Sequence, residues 1–314
     1  MNQNTLETLA DGIADWHAPV IDGEIPHGDM PGDKVQIGPD HIAKANTIFP
    51  ELATLAARHA QNGRIVIAIC GGSGVGKSEI ASLLSYYFRC AGVGSYTLSG
   101  DNYPRRIPMY NDAERVRIFR TAGLRGLVDK DVYTGDVKRI LSELWKQDTD
   151  AEPKLAAVYP WLAIYQQEGK AALAQYLGTN AEQDYAELSA ILAAFHQGAD
   201  HIWLKRMGRT ENDRWYENVD FSDVSVLIIE WTHGNSDLLQ GVDIPVLLNS
   251  TPEQTRAHRR ARSRDGKTDS PFTTMVLEIE QAELDSCAHK AQIIIAKTGE
   301  RLSYAQYRAE MGET

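Results

Sequence analysis

The hydrophobic positions of this chain alternate between short solid runs and longer spaced ones. RIVIAIC, residues 64–70, is continuous and largely β-branched, the pattern of a strand buried on both faces of a parallel sheet. Just beyond it, Ile80, Leu83, Leu84, Tyr87 and Phe88 fall at i, i+3, i+4, i+7 and i+8, one face of an amphipathic helix. GSYTLSGDNY (94–103) predicts a second short strand ending in an acidic turn. VSVLIIEW (224–231), DIPVLLNS (243–250) and AQIIIAKTG (291–299) predict three more buried strands. Between them, GDVKRILSELWK (135–146) places Val137, Ile140, Leu141 and Leu144 on one helical face. Strands alternating with helices predict an α/β fold: a mostly parallel, doubly wound sheet in a three-layer α/β/α arrangement.

Two stretches depart from this rhythm. Residues 1 to about 40 are rich in Gly, Pro and Asp with little periodicity, which predicts an irregular extension on the surface or on a partner. Asp40 is a candidate helix cap for residues 40–63, with helical turns interrupted at Pro50 and stopped at Gly63. Residues 1–62 are thus expected to be an N-terminal extension with a helix, and 63–314 the main domain. From about 148 to 198 the chain turns Ala-, Gln- and Glu-rich, and Tyr185, Leu188, Leu192 and Phe195 recur at helical spacing before Gly198. A helical insertion is expected there, with a lid, a subunit contact and a structural embellishment all open.

Composition narrows the class. Of 314 residues, 43% are hydrophobic and 24% charged, and a net charge of -11 argues against nucleic acid or an anionic membrane as partner. No apolar run approaches a bilayer span and the first residues lack a signal-peptide layout, so a cytoplasmic protein is expected. Cys70, Cys90 and Cys287 are scattered singly, without zinc-type spacing.

The candidate chemistry begins at residues 71–78, GGSGVGKS, which fit GxxxxGK[ST] without a mismatch, between a predicted strand and a predicted helix. In such a loop the backbone of Gly72, Ser73, Gly74, Val75 and Gly76 converges on phosphate oxygens, and the following helix turns its positive end to the same anion. Lys77 is placed to reach the β- and γ-phosphates and the Ser78 hydroxyl to ligate Mg²⁺. Phosphoryl transfer also needs a carboxylate facing the acceptor hydroxyl. Asp101 stands just past the second predicted strand, where ligands bind in open α/β sheets, with Tyr103 at the same rim. Glu230 ends a hydrophobic strand, a position that commonly lies near the metal, and His233 follows in a glycine-containing loop.

Taken in order, GGSGVGKS, the strand leading to GDNYP, and the strand ending in Glu230 followed by VDIPVLLNSTPEQTRAHRRARSRD resemble the phosphoribulokinase and uridine kinase family of P-loop kinases. The resemblance covers about residues 64–300, apart from the insertion. It implies ATP and Mg²⁺, Asp101 as catalytic base and Glu230 as the metal-side carboxylate. It also implies a lid over ATP carrying Arg259, Arg260 and Arg264, with Arg260 on the nucleotide and the other two near the transferred group. Two departures stand out. The usual Glu-Gly is replaced by Glu230-Trp231-Thr232-His233-Gly234, and the acidic turn begins Gly100-Asp101-Asn102, so the family's acceptor-binding residues do not carry over.

Beyond Asp101, Arg105, Arg106, Arg115, Arg117, Arg120 and Arg125 reverse the local charge of an acidic protein. They suggest an anionic acceptor gripped by guanidinium groups; neutralisation by neighbours such as Asp112 and Glu114 is weighed equally. Tyr103, Arg105, Arg106, Arg117 and His233 are the candidate acceptor contacts. Lys205, Arg206 and Arg209 either complete an anion pocket or form a surface hairpin. The expected function is an ATP-dependent kinase transferring the γ-phosphoryl group to a hydroxyl of a small anionic metabolite, a sugar phosphate or nucleoside-like molecule. An adenylylsulfate kinase-like enzyme, a P-loop ATPase or regulatory protein, and a homodimeric assembly stay open.

Overall fold

The chain is described by a computed structural model over residues 3–262 and 270–312, with side chains over 5–257 and 270–312. From the N-terminus come α1 (Gln3–Asp11), α2 (Pro39–His59), β1 (Ile65–Gly71), α3 (Lys77–Cys90) and β2 (Ser95–Ser99). Three helices follow, α4 (Pro108–Asp129), α5 (Gly135–Lys146) and α6 (Trp161–Ala174), then α7 (Tyr185–His196) and an antiparallel pair, β3 (His201–Met207) and β4 (Arg214–Asp220). The chain returns through β5 (Val226–Glu230) and β6 (Ile244–Leu248), passes α8 (Pro252–Arg262) and α9 (Pro271–Cys287), and continues as β7 (Ile293–Ile295), β8 (Arg301–Leu302) and α10 (Tyr304–Met311).

The main sheet has the order β2-β5-β1-β6-β7-β8, parallel except for β8. The predicted α/β fold is therefore present, with its five anticipated strands as the parallel ones. All seven residues of β1 are buried, as a central strand covered on both faces requires. Registry brings the carboxyl ends of three strands level, because Glu230 of β5 pairs with both Ile69 of β1 and Ser99 of β2. Both neighbours of β1 come later in the chain, so the crevice at its carboxyl end is a topological switch point where such sheets bind ligands.

Four apolar cores hold this frame among the described residues, the smallest of them gathering Cys70, Leu247, Leu284, Ile294 and Tyr307. One lies under α2 and α3 and joins Leu6, Ile48, Phe49 and Leu52 to Ile67, Leu83 and Phe88. Residues before 63 thus share the sheet's own core. Pro50 does not interrupt α2; Ile48, Phe49, Leu52, Ala53 and Ala56 are buried along it, and that packing outweighs the lost backbone bond. Asp40 sits in the first turn, while the cap is Gly38, whose N–H donates to His41 Nδ1. A second core, on the opposite face, joins Leu188, Leu192 and Phe195 of α7 to Leu98, Leu204 and Trp231.

The third core is helical and begins earlier than the composition change at 148. It gathers Phe119 and Leu127 of α4, Leu141 of α5, Leu162, Tyr165 and Leu173 of α6, and Met275 and Ile279 of α9. Helices α4 and α6 approach closely through glycines: a Cβ at Gly123 would lie 2.5 Å from the Tyr165 ring, and one at Gly169 2.5 Å from Phe119. This helical body faces the carboxyl edge of the sheet and forms the far wall of the site. No helix among the described residues is long and apolar enough to cross a membrane.

Candidate active site

The phosphate loop is built as its glycines imply. Gly71, Gly74 and Gly76 all have positive φ, and a Cβ at Gly71 would lie 2.6 Å from the Leu248 carbonyl. Gly76 caps α3 in the left-handed conformation and Lys77 opens the helix, so free N–H groups and the positive end of its dipole point into the loop. Lys77 Nζ donates to the Gly72 carbonyl at 3.1 Å, folded back over the loop it would serve. Gln281 of α9 faces the same loop, its Oε1 3.6 Å from where a Gly72 Cβ would stand.

Beside the loop, Glu230 accepts from Ser78 Oγ at 3.1 Å and from Ser99 Oγ at 2.5 Å. It is buried, and burial, reinforced by the Asp101 charge, pushes its carboxyl up to about 7 against the pull of those hydroxyls and Lys77. A buried carboxylate joined to a hydroxyl at a strand end suits a hard cation that keeps most of its water and phosphate ligands. Among the described residues no cluster of three His, Cys, Asp or Glu side chains is placed to hold a metal ion. Asp101 lies on a single 3-10 turn, Gly100–Asn102, directly after β2, and its carboxylate is exposed. The structure thus brings Lys77, Ser78, Asp101 and Glu230 to one edge.

The arginines behave differently from the anion-binding expectation. All six between residues 105 and 125 meet carboxylates: Arg105 with Asp184 (3.2 Å), Arg106 with Glu114 (3.8 Å), Arg115 with Glu182 (2.6 Å), Arg117 with Glu114 (2.6 Å), Arg120 with Asp150 (2.9 Å) and Arg125 with Asp129 (3.0 Å). Arg117 points to solvent, 61% exposed. Lys205 and Arg206 belong to the β3–β4 hairpin and are buried, Lys205 against Glu187 (2.8 Å) and Arg206 between Asp29 (2.8 Å) and Glu217 (2.9 Å). The local reversal of charge in the sequence is cancelled in space, by acids of α4 for Arg106, Arg117 and Arg125 and by acids from later in the chain for Arg105, Arg115 and Arg120. Tyr103 is fully buried beneath Lys205, whose Nζ stands 4.9 Å from the ring centre, and packs in the second core.

Instead, the wall opposite the phosphate loop is acidic. Glu182, fully buried, accepts from Arg115, from Asn111 Nδ2 (3.0 Å) and from the Gly178 N–H (2.9 Å). Burial alone would raise its carboxyl, but Arg115 and these bonds hold it below the usual range. Arg115 also reaches Glu280 of α9 at 3.5 Å. Burial raises Glu280, and it raises Glu283 to about 8 with the help of the Glu280 charge. His233 packs edge-on against Trp231, its Nδ1 3.7 Å from Glu283, and burial lowers it to about 4, so the ring is neutral near pH 7. A neutral imidazole can both donate and accept.

Arg259 and Arg260 lie on α8, where only the backbone is described, and Arg264 lies outside the described residues. Sequence reasoning missed Ser99, Asp29, Glu182 and Glu280. Ser99 adjoins the flagged turn and was within reach of a closer reading. The two glutamates carry no local signal, since Glu182 is one acid in a turn between α6 and α7 and Glu280 one of several on α9.

No family model matches the chain. Among solved structures it is similar to a protein assigned as a fructose transport system kinase from Silicibacter sp. TM1040 (14% identity, 76% of this chain and 95% of that one, TM-score 0.43). Another is assigned as a uridine kinase from Bacillus stearothermophilus (16% identity, 74% and 88%, TM-score 0.38). Among curated proteins it is 37% identical over 258 residues to the bifunctional alpha-galactosidase/sucrose kinase AgaSK of Mediterraneibacter gnavus. The match takes in 82% of this chain and only 23% of that protein's length. Over most of its own length, then, the chain is similar to a segment of a protein that combines alpha-galactosidase and sucrose kinase, and it has the phosphate-loop α/β fold.

Proposed function

We propose that this chain is an ATP-dependent kinase that phosphorylates a hydroxyl of a small neutral carbohydrate. The observation that carries the reading is the meeting of Lys77, Glu230 and exposed Asp101 at one sheet edge. Hydrolysis needs no acceptor-side base on the protein beyond a group that orients water; transfer needs a carboxylate facing a bound hydroxyl. Asp101 would take the proton as the hydroxyl oxygen bonds to the γ-phosphorus and the bond to the β-γ bridging oxygen breaks, releasing ADP. Lys77 and the N-terminus of α3 would offset the charge spreading over the phosphoryl oxygens. Ser78 and Glu230 would hold Mg²⁺, which when bound neutralises the phosphates.

The acceptor's class follows from charge. The arginines that suggested a phosphorylated or sulfated acceptor are already matched by carboxylates, and the wall they stand in holds Glu280, Glu283 and neutral His233. Such groups suit sugar hydroxyls, which donate and accept, and with the arginines already matched they give an anion little to bind. The similarity to a sucrose kinase-containing protein supports a sugar. This reading discards the sugar-phosphate and adenylylsulfate acceptors.

The test is ADP release with ATP, Mg²⁺ and a panel of sucrose, fructose, glucose, uridine, a sugar phosphate and adenylylsulfate. A neutral sugar should stimulate, and Asp101→Asn should abolish transfer with ATP affinity intact. Steady hydrolysis that no acceptor stimulates would overturn the kinase reading. Stimulation confined to the anionic acceptors would overturn the acceptor class.

A further inference from the structure

The irregular residues between α1 and α2 pack along the sheet and reach the active edge. Trp16 packs on Phe49 (4.9 Å between ring centres) and Tyr87 (5.7 Å), and Ile21, Ile25 and Ile37 lie against the first core. Tyr86 Oη donates to the Val20 carbonyl at 3.0 Å. From there the segment crosses the carboxyl ends of β2 and β5. A Cβ on Gly28 would stand 3.7 Å from Glu230 Oε1 and 3.8 Å from Thr97 Cγ2. It then rejoins the phosphate loop, where the His41 ring lies 3.0 Å from the place of a Gly76 Cβ.

At the midpoint of this crossing is Asp29, whose carboxylate is buried and fully engaged. Oδ1 accepts from the Ser99 N–H at 2.7 Å and from Asn102 Nδ2 at 3.0 Å; Oδ2 accepts from Tyr96 Oη at 3.1 Å and from Arg206 at 2.8 Å. Ser99 and Asn102 bracket Gly100 and Asp101. Ser99 also holds Glu230 through its hydroxyl, and Asn102 Oδ1 accepts from the Met207 N–H of the hairpin. One side chain therefore fixes both ends of the turn that presents Asp101 and ties it to the hairpin.

We infer that residues 16–41 form a strap over the active edge and that Asp29 is a positioning residue, setting the turn that carries the catalytic carboxylate. The inference rests on the kinase reading above. The place of the Asp101 carboxylate follows that of the turn carrying it, and displacement by about 1 Å is enough to cost roughly 100-fold in rate. Asp29→Asn keeps an oxygen at the Oδ1 position for Ser99 and Asn102, whereas Asp29→Ala removes it.

The experiment is steady-state transfer and separate ATP-analogue binding for the wild type, Asp29→Ala and Asp29→Asn, with melting temperatures. Asp29→Ala should lower kcat by roughly 10- to 100-fold while ATP affinity stays within about 3-fold, and Asp29→Asn should recover most of the loss. Ser99 amide exchange should speed up in Asp29→Ala and not in Asp29→Asn. Should Asp29→Ala not fold, Asn102→Ala releases the other end of the clasp and should give the same split in kcat against ATP affinity. A folded variant with unchanged kcat, or equal losses of kcat and ATP affinity, overturns the assignment. A wild type without transfer would instead remove the kinase reading.

Discussion

Arg115 is the most informative single residue to change, because the anion-site and internal-neutralisation readings assign it opposite duties. Its side chain is 17% exposed and its guanidinium holds the fully buried Glu182 at 2.6 Å and Glu280 at 3.5 Å. Arg115→Met keeps the length of the side chain and removes the charge, leaving Glu182 in the interior beside two raised carboxyls. Breaking a buried pair on one side costs about 3–5 kcal/mol, and the lower half applies here because Asn111 and the Gly178 N–H still bond Glu182. With an unfolding entropy of roughly 2 cal/mol/K per residue, that loss lowers the melting temperature of a chain this long by about 5–6 °C. Calorimetry at pH 7 measures it. The sign with pH is also fixed: in the wild type Glu182 is held below its ordinary value, so its contribution is present above about pH 4.5 and fades as pH falls through the lowered value. In the variant Glu182 rises and protonates without the cation, so the gap between the two proteins should narrow in acid. A fall of under about 2 °C at neutral pH, or an equal gap at pH 4, would refute the reasoning.

Three other outcomes are expected. Lys77→Ala should lower ATP affinity or turnover by at least about 100-fold with little change in melting temperature, since the described structure gives its ammonium the Gly72 carbonyl to hold; isothermal titration and the ADP assay check both. Gly100→Ala should destabilise by about 1–3 kcal/mol and depress kcat, because the new Cβ would overlap the buried Trp231 ring and shift the Asp101 turn; denaturant melts measure the first. His233 is lowered from 6.5 to about 4 by burial, so the unfolded chain takes up its proton first and stability falls as pH drops through that window, by roughly 3 kcal/mol in all. His233→Gln should flatten that part of the stability-pH curve.

The frame of the site was legible because its signals are local. GGSGVGKS needs glycines at fixed offsets, and β1 and β5 are apolar runs whose ends place Lys77 and Glu230 without reference to anything distant. What escaped depends on pairings across the chain. Arg115 reads as a cation in an arginine-rich stretch until Glu182, 67 residues on, is folded against it. Likewise, Asp29 looks like a loop acid among glycines and prolines; its meaning comes from Ser99, Asn102 and Arg206, none of them near in sequence. Helix α4 escaped because its apolar face is thin, with Phe119 and Leu127 carrying most of the burial. Its charges therefore dominated the reading.

The place of β5 has a consequence for how the molecule is made. The strand that carries Glu230 sits between β1 and β2, yet it leaves the ribosome roughly 130 residues after β2, about 6–25 seconds later at ordinary synthesis rates. Throughout that interval the two earliest strands have no β5 to join them. They offer open edges of apolar backbone, the surfaces that invite mispairing with another nascent chain. Production of this protein should therefore depend on chaperones that shield the gap, and a faster translation of residues 100–225 should raise its soluble yield.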